Sequence, residues 1–220
     1  MRLFSAKTSL RQKHWRHLLL SGCLFIAGLF FVVQESYMQA KAYFAQFLIQ
    51  QAWQKTLVDQ QHHKPWSWAD THPVARLKFI NPDTALQLAS ANRSDEQNSL
   101  YVLAGASGRN LAFGPAQVLS SATVNSEGNT VIAGHRDTHF SVLEEVKVGQ
   151  LLTLQNAQGL EILYQVNNTQ VVHESDTSVM NDAGQKQLTL VTCYPFNRAI
   201  AGGELRYIVS AVAIDKIEAI

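Results

Sequence analysis

The sequence predicts an all-β domain over residues 74–220, preceded by an N-terminal transmembrane helix and a helical stalk. Three observations support this prediction. Short segments that are apolar or that alternate apolar with polar residues, separated by Gly- and Asn-containing turns, are typical of strands. A charge-free apolar run near the N-terminus is typical of a membrane segment. The region after that run contains neither Gly nor Pro, which favours a helix.

The composition excludes several classes of protein. A chain of 220 residues with 46% hydrophobic and 16% charged residues has enough apolar material to fold, which excludes a disordered chain. The formal net charge of +1 argues against nucleic acid as the main partner, since a nucleic-acid-binding surface needs an excess of basic residues. The charge is nevertheless uneven, because residues 1–17 carry basic residues and no acidic ones: Arg2, Lys7, Arg11, Lys13 and Arg16.

A transmembrane anchor is predicted at residues 18–34. Residues 18–33 contain no charged side chain, and the basic residues before them are expected to keep residues 1–17 in the cytoplasm. Everything after residue 34 should then lie outside the cytoplasm. The alternative is a cleaved signal peptide with Ala40-Lys41-Ala42 as its small-residue site, which is less favoured because this site lies well beyond the apolar run.

A helical stalk is predicted at residues 35–61 and a linker at residues 62–73. Apolar side chains recur at helical spacing in the stalk: Tyr37, Phe44, Phe47, Leu48 and Leu57. The linker contains two prolines and two tryptophans among polar residues, which indicates a change of structure before the folded domain.

The domain at 74–220 is predicted to be a β-barrel or sandwich. Short helices are expected only near residues 83–90 and 140–146. The predicted strands are VARLKFI (74–80), LYVLAGA (100–106), NTVIAG (129–134), LLTLQ (151–155), LEILYQV (160–166), TQVVH (169–173), QLTLVTC (187–193) and LRYIVSAVAI (205–214).

Cys193 is the first candidate functional residue. Cys23 lies in the predicted membrane segment, so the domain has one thiol and no internal disulfide. A free thiol outside the cytoplasm is open to oxidation unless it is buried or used, and a buried, inert cysteine is the alternative. Cys193 ends a predicted strand just before Tyr194-Pro195, where a side chain can be displayed at the edge of a rigid sheet.

Two further residues are candidates for the same site. Arg206 opens the strand that follows the loop after Cys193, so antiparallel pairing of the two strands would make Cys193 and Arg206 neighbours. A guanidinium there can favour the thiolate or stabilise an oxyanion. His135 follows the predicted strand NTVIAG, and Gly134 before it leaves room for the close approach of another group.

Together these motifs resemble the sortase family, which consists of membrane-anchored cysteine transpeptidases with an eight-stranded β-barrel. The resemblance lies in TLVTC (189–193), VIAGH (131–135) and Arg206 within RYIVSA. The stalk and linker further resemble those of sortases from Gram-negative proteobacteria. By this resemblance Cys193 is the nucleophile, His135 the general acid and base, and Arg206 the residue that positions the substrate and stabilises the oxyanion. Thr192 would help to shape the oxyanion site.

The resemblance also implies the reaction and its partners. The enzyme would cleave an LPXTG-like sorting signal at the C-terminus of a substrate protein, form a thioester and transfer the product to an amine acceptor. It would be a single-pass protein of the inner membrane, in contact with lipid, with its catalytic domain in the periplasm. No cofactor or metal is expected, since no acidic cluster supports the calcium site of some family members.

Two other functions stay open from the sequence. One is a cysteine protease or other hydrolase that uses the same Cys193 and His135. A papain-like enzyme is disfavoured because its nucleophile starts a helix, whereas Cys193 is predicted to end a strand. The other is a non-enzymatic periplasmic module that binds zinc through His135, His139 and Cys193. The segment HRDTH lacks the glutamate of a helical HExxH zinc motif, which weakens this second reading.

Overall fold

The structure is a computed structural model that describes residues 5–80, 99–182, 184–197 and 202–214. Its first element is helix α1, Ser5–Asp59. The chain divides into two compact units, Met1–Ala45 and Gln46–Ile220, and residues of α1 belong to both. No helix within the described ranges is both long enough and apolar enough to cross a membrane, so the anchor predicted at residues 18–34 is not found there. In the first unit, large apolar side chains on α1 are nevertheless exposed, among them Leu24, Phe25, Ile26, Phe30 and Phe31.

The second unit contains a closed β-barrel of eight strands among the described residues, as the sequence and the family resemblance predict. The strand order around the barrel is β1-β2-β3-β4-β7-β8-β6-β5. The strands are β1 Pro73–Ile80, β2 Ser99–Ala104, β3 Ala116–Gln117, β4 Asn129–Ala133, β5 Leu151–Asn156, β6 Glu161–His173, β7 Gln187–Tyr194 and β8 Leu205–Ala213. Within the described connections there are three short helices: α2 Gly108–Leu111 and two 3-10 helices, Ser141–Glu145 and Ser178–Met180.

The barrel closes around one apolar core. Side chains of successive strand residues point to opposite faces, so alternate residues of a strand enter the core. On β7 and β8 these are Leu188 and Leu190, and Val209 and Ala211, which are all buried in this core. Because the sheet is closed, none of the described strands is a free edge strand that could recruit another strand.

The last part of the predicted stalk packs within the barrel unit. On α1, Ile49 and Trp53 are buried and belong to one apolar cluster with Tyr101 and Leu103 of β2. The ring centroids of Trp53 and Tyr101 are 6.5 Å apart. Burial of an aromatic side chain of this size contributes strongly to packing, so this segment of α1 is part of the folded unit.

Two strand predictions were wrong in detail. The segments LEILYQV and TQVVH form one strand, β6, because it continues through a register shift between Val166 and Asn168 in its pairing with β8. Strand β3 was not predicted, since two residues are too few to show an alternating pattern. The helix expected near 140–146 is the 3-10 helix Ser141–Glu145. The helix expected near 83–90 lies outside the described residues.

Candidate active site

Cys193 and Arg206 are direct neighbours on two paired strands. Strands β7 and β8 are antiparallel, and their register places Cys193 opposite Arg206. Directly opposite residues of such a pair project from the same face of the sheet. The Cys193 thiol is free and partly exposed. The structure therefore brings together the thiol and the guanidinium that the sequence indicated.

His135 is placed at the same edge of the barrel. Strands β4 and β7 are parallel, with Ala133 opposite Val191, so both strands end at the same edge. The Gly134 amide still donates to the Val191 carbonyl oxygen at 3.1 Å. His135 is the next residue and is exposed. The backbone thus carries an exposed imidazole to the edge at which Cys193 lies.

Thr192 ties these two strand ends together. It precedes Cys193 on β7 and therefore projects from the opposite face of the sheet. Its side chain is buried, and its hydroxyl donates to the Gly134 carbonyl oxygen at 2.8 Å. This bond joins the residue before the thiol to the residue before the imidazole. The role of Thr192 in the oxyanion site stays a prediction, and in the structure its hydroxyl fixes the backbone beside that site.

The Arg206 guanidinium is held in place by three hydrogen bonds. Its Nη1 donates to the carbonyl oxygens of Gly203 at 2.6 Å and Leu205 at 3.0 Å. Its Nη2 donates to Oε2 of Glu174 at 2.6 Å. A guanidinium has about five N–H groups in a fixed planar fork, so among the described contacts two of them are left for a substrate. A fork fixed in this way favours one orientation of whatever it binds.

Sequence reasoning missed Glu174. It follows the last residue of β6 and its amide donates to the Glu204 carbonyl oxygen, which places it beside the start of β8. The pairing of β6 with β8, in which His173 lies opposite Leu205, makes this contact. Glu174 and Arg206 are far apart in the chain, and the sequence does not show that β6 and β8 are neighbours. No local signal therefore pointed to Glu174.

Gly134 is required for close packing behind His135. A Cβ atom at this position would lie 2.6 Å from Cδ2 of Phe140, and the Phe140 side chain is completely buried. The Phe140 amide donates to the His135 carbonyl oxygen at 3.0 Å, which closes the turn that carries the imidazole. The close approach predicted at Gly134 is therefore that of a buried aromatic ring.

Replacing Gly134 by alanine is expected to destabilise the protein and to displace His135. The new methyl group needs space that Phe140 fills, and overpacking a core typically costs about 1–3 kcal/mol. Urea unfolding would measure the loss. Gly108→Ala is the matched control, since a Cβ there meets no atom within 4 Å. Equal stabilities of the Gly134→Ala and Gly108→Ala variants would contradict this packing.

His139 faces α1. Its Nε2 lies 3.5 Å from Nε2 of Gln46, and its Nδ1 lies 3.3 Å from Oγ1 of Thr138. Burial, and then the nearby charge of His135, lower the pKa of His139. A neutral ring that accepts from Gln46 and donates to Thr138 fits both contacts. Within the described ranges no three His, Cys, Asp or Glu residues are grouped so as to hold a metal ion, and the zinc alternative gains no support.

Three comparisons with known proteins show the family and the fold of the chain. The model of the sortase domain matches residues 94–214, which is more than half of the chain. The chain belongs to the sortase family. Sortases are cysteine transpeptidases that act on a protein substrate bearing a sorting signal and on an amine acceptor.

The sequence of this sortase is similar to that of Sortase D of Bacillus subtilis (strain 168). The two are 32% identical over 111 residues, which is 50% of this chain and 55% of that protein. The chain thus matches about half the length of this curated relative.

Solved structures share the fold. A Sortase D5 transpeptidase of Clostridium perfringens aligns with a TM-score of 0.51 and 22% identity over 76% of this chain and 89% of that one. Sortase A from Corynebacterium diphtheriae aligns with a TM-score of 0.53 and 24% identity over 67% and 63%. The resemblance to sortases of Gram-negative proteobacteria is not shown by these relatives and stays a prediction.

Proposed function

We propose that this sortase is a membrane-anchored cysteine transpeptidase that cleaves a sorting signal through a thioester. One observation carries the proposal: Cys193 lies opposite Arg206 on paired strands, at the barrel edge where β4 ends just before His135. A thiol, a fixed cation and an imidazole are the three groups that acyl transfer by a cysteine nucleophile needs.

In the first step the Cys193 thiolate attacks the carbonyl carbon of the scissile peptide bond. The carbonyl oxygen becomes an oxyanion, to which N–H groups of Arg206 would donate. As the tetrahedral intermediate collapses, the C–N bond breaks and protonated His135 donates its proton to the departing amine. The products are the free C-terminal fragment and a thioester on Cys193.

In the second step an amine acceptor attacks the thioester. His135, now neutral, accepts the proton of the incoming amine, the C–S bond breaks and the Cys193 thiolate is restored. The new amide joins the substrate protein to the acceptor. Water in place of the amine would make the enzyme a hydrolase. A papain-like mechanism is less suited to the structure, because Cys193 lies within strand β7 and not at the start of a helix.

The proposed substrate is a protein with a C-terminal LPXTG-like signal, cleaved after the threonine. The support for this sequence is the family resemblance of TLVTC and VIAGH. The partly exposed thiol at a strand edge is accessible to an extended peptide. No cofactor is part of the proposed reaction.

Mass spectrometry of the products tests the proposed reaction. The purified barrel with its α1 segment would be incubated with LPXTG-containing peptides and with candidate amines. A transpeptidase gives a product whose mass is that of the N-terminal fragment joined to the amine. If every amine gives only the hydrolysed acid, the enzyme is a hydrolase. If the peptide stays intact in all reactions, both activities are refuted.

We also propose that residues 18–34 anchor the protein in the inner membrane, with the barrel in the periplasm. The support is the charge-free run at residues 18–33, the five basic residues before it, and the exposed apolar side chains that α1 carries in this region. Apolar side chains of this size are stabilised by transfer into lipid, and basic flanks stay on the cytoplasmic side.

Protease added to spheroplasts is expected to digest the barrel while a cytoplasmic marker protein survives. The full-length protein should then sediment with membranes. Protection of the barrel from protease would reverse the proposed orientation. A mature N-terminus at Tyr43 would instead support the cleaved signal peptide with Ala40-Lys41-Ala42.

A further inference from the structure

Arg136, the residue after His135, is buried. Its side chain is 2% exposed, although it carries a permanent positive charge. Burial of a charged group is costly unless the group is paired and hydrogen-bonded. A buried guanidinium next to the candidate imidazole is therefore held there by specific contacts, and the reaction steps described above give it no role.

Two hydrogen bonds of Arg136 lead to different parts of the structure. Nε of Arg136 donates to Oδ1 of Asp137 at 3.1 Å, and Nη1 donates to the carbonyl oxygen of Gly202 at 3.4 Å. Asp137 is 59% exposed, so water solvates much of its carboxylate. The bond to Gly202 reaches instead across the site, from the end of β4 to the segment just before β8.

Gly202 and Gly203 lie just before β8, in a segment that we call the Gly202–Gly203 turn. Both glycines have positive φ angles, 84° and 117°. Glycine has wide conformational freedom and no side chain with which to hold a neighbour, so contacts from outside must fix the turn. The Gly203 carbonyl oxygen accepts from Nη1 of Arg206 at 2.6 Å. Arg136 from the turn after β4 and Arg206 from β8 thus bind consecutive carbonyl groups of this Gly202–Gly203 turn.

We propose that Arg136 is a positioning residue for the acylation step. By donating to the Gly202 carbonyl oxygen, Arg136 fixes the Gly202–Gly203 turn. The Gly203 carbonyl oxygen of this turn then holds the Arg206 guanidinium beside Cys193. The inference rests on the proposed function, in which Arg206 stabilises the oxyanion. Misplacement of a reacting group by about 1 Å can cost about 100-fold in rate, so the support of the turn bears directly on catalysis.

Arg136→Met and Arg136→Lys test the inference. Methionine removes the guanidinium, and a lysine ammonium cannot reproduce the planar fork that reaches both Asp137 and Gly202. Both variants are expected to acylate Cys193 about 10-fold to 100-fold more slowly. Lysine keeps the positive charge and serves where the methionine variant does not fold. Rates equal to wild type in a folded variant would overturn the inference.

Arg109→Met is the matched control. Arg109 also donates to a carboxylate at 3.1 Å, that of Asp70, but this pair is exposed. An exposed ion pair contributes little to stability, so the acylation rate of this variant should equal that of wild type. A comparable loss in Arg109→Met would show that the effect of Arg136 is not specific to its position.

A second variant separates positioning from general stability. If Arg136 acts through Arg206, adding Arg136→Met to Arg206→Ala should reduce acylation little further. Fully additive losses would overturn the inference. The pH profile of Cys193 alkylation by iodoacetamide should also be unchanged in Arg136→Met.

Hydrogen exchange makes the inference testable without turnover. Amides of residues 202–206 should exchange faster in Arg136→Met than in wild type or Arg109→Met, because the turn has lost a contact. Unchanged exchange would overturn the inference even if acylation is seen. If the wild-type enzyme acylates no peptide, the proposed function fails, and the exchange result still decides whether Arg136 holds the turn.

Discussion

Replacing Cys193 by alanine is expected to abolish both thioester formation and transpeptidation while the barrel stays folded. In the proposed reaction the Cys193 thiol forms the covalent intermediate, and Cys193 lies partly exposed near the end of β7 and outside the buried core. His135→Ala should cause a loss of the same order, since the departing amine then has no proton donor. Product mass spectrometry measures both losses, and circular dichroism checks the fold.

The double variant shows whether the two residues share one step. Groups that act as a unit are strongly non-additive, so Cys193→Ala with His135→Ala should be scarcely worse than either single variant. His173→Ala is a suitable control, because His173 is exposed and lies at the end of β6, where its Nδ1 bonds with Ser175. Partial, additive losses at Cys193 and His135 would mean that they act in separate steps.

Arg206→Lys is expected to reduce the acylation rate by about 100-fold to 1000-fold, the usual cost of losing an oxyanion donor. Arginine presents a planar fork, whereas lysine presents one compact ammonium. A single nitrogen cannot hold Glu174 and the two backbone carbonyls and still bind an oxyanion. Single-turnover kinetics with a sorting peptide measures the loss, which should appear in acylation and not in unfolding free energy.

The alkylation rate of Cys193 as a function of pH is the control for Arg206→Lys. A profile like that of wild type would show that lysine preserves the ionisation of the thiol, so that the remaining defect is one of geometry. Acylation by Arg206→Lys at nearly the wild-type rate would contradict the need for a planar fork at this position and leave Arg206 as a nearby positive charge.

Much of the site was predictable because it lies at strand ends. The alternation in QLTLVTC and RYIVSAVAI defines two strands, and the loop between them limits the pairing to one that places Cys193 near Arg206. The chain itself supplies this information. His135 was predicted in the same way, from the strand segment NTVIAG and the glycine that ends it.

The remaining contacts depend on pairings that the chain does not encode locally. Glu174 reaches Arg206 because β6 lies beside β8, and Arg136 reaches Gly202 because β7 pairs with both β4 and β8. Phe140 fills the space that the absence of a side chain at Gly134 leaves. Each of these contacts joins residues that are distant in sequence or buried in the turn after β4, so only the closed barrel reveals them.

The most direct test of the account is a search for the acyl-enzyme by intact-protein mass spectrometry. Wild-type protein would be mixed with an LPXTG-containing peptide, without an amine, and acidified within the first turnover. The account predicts an added mass equal to the N-terminal peptide fragment, located on Cys193 and removed by hydroxylamine, as expected for a thioester. Absence of this adduct in a protein that still processes the peptide, or its persistence in Cys193→Ala, would contradict the central claim.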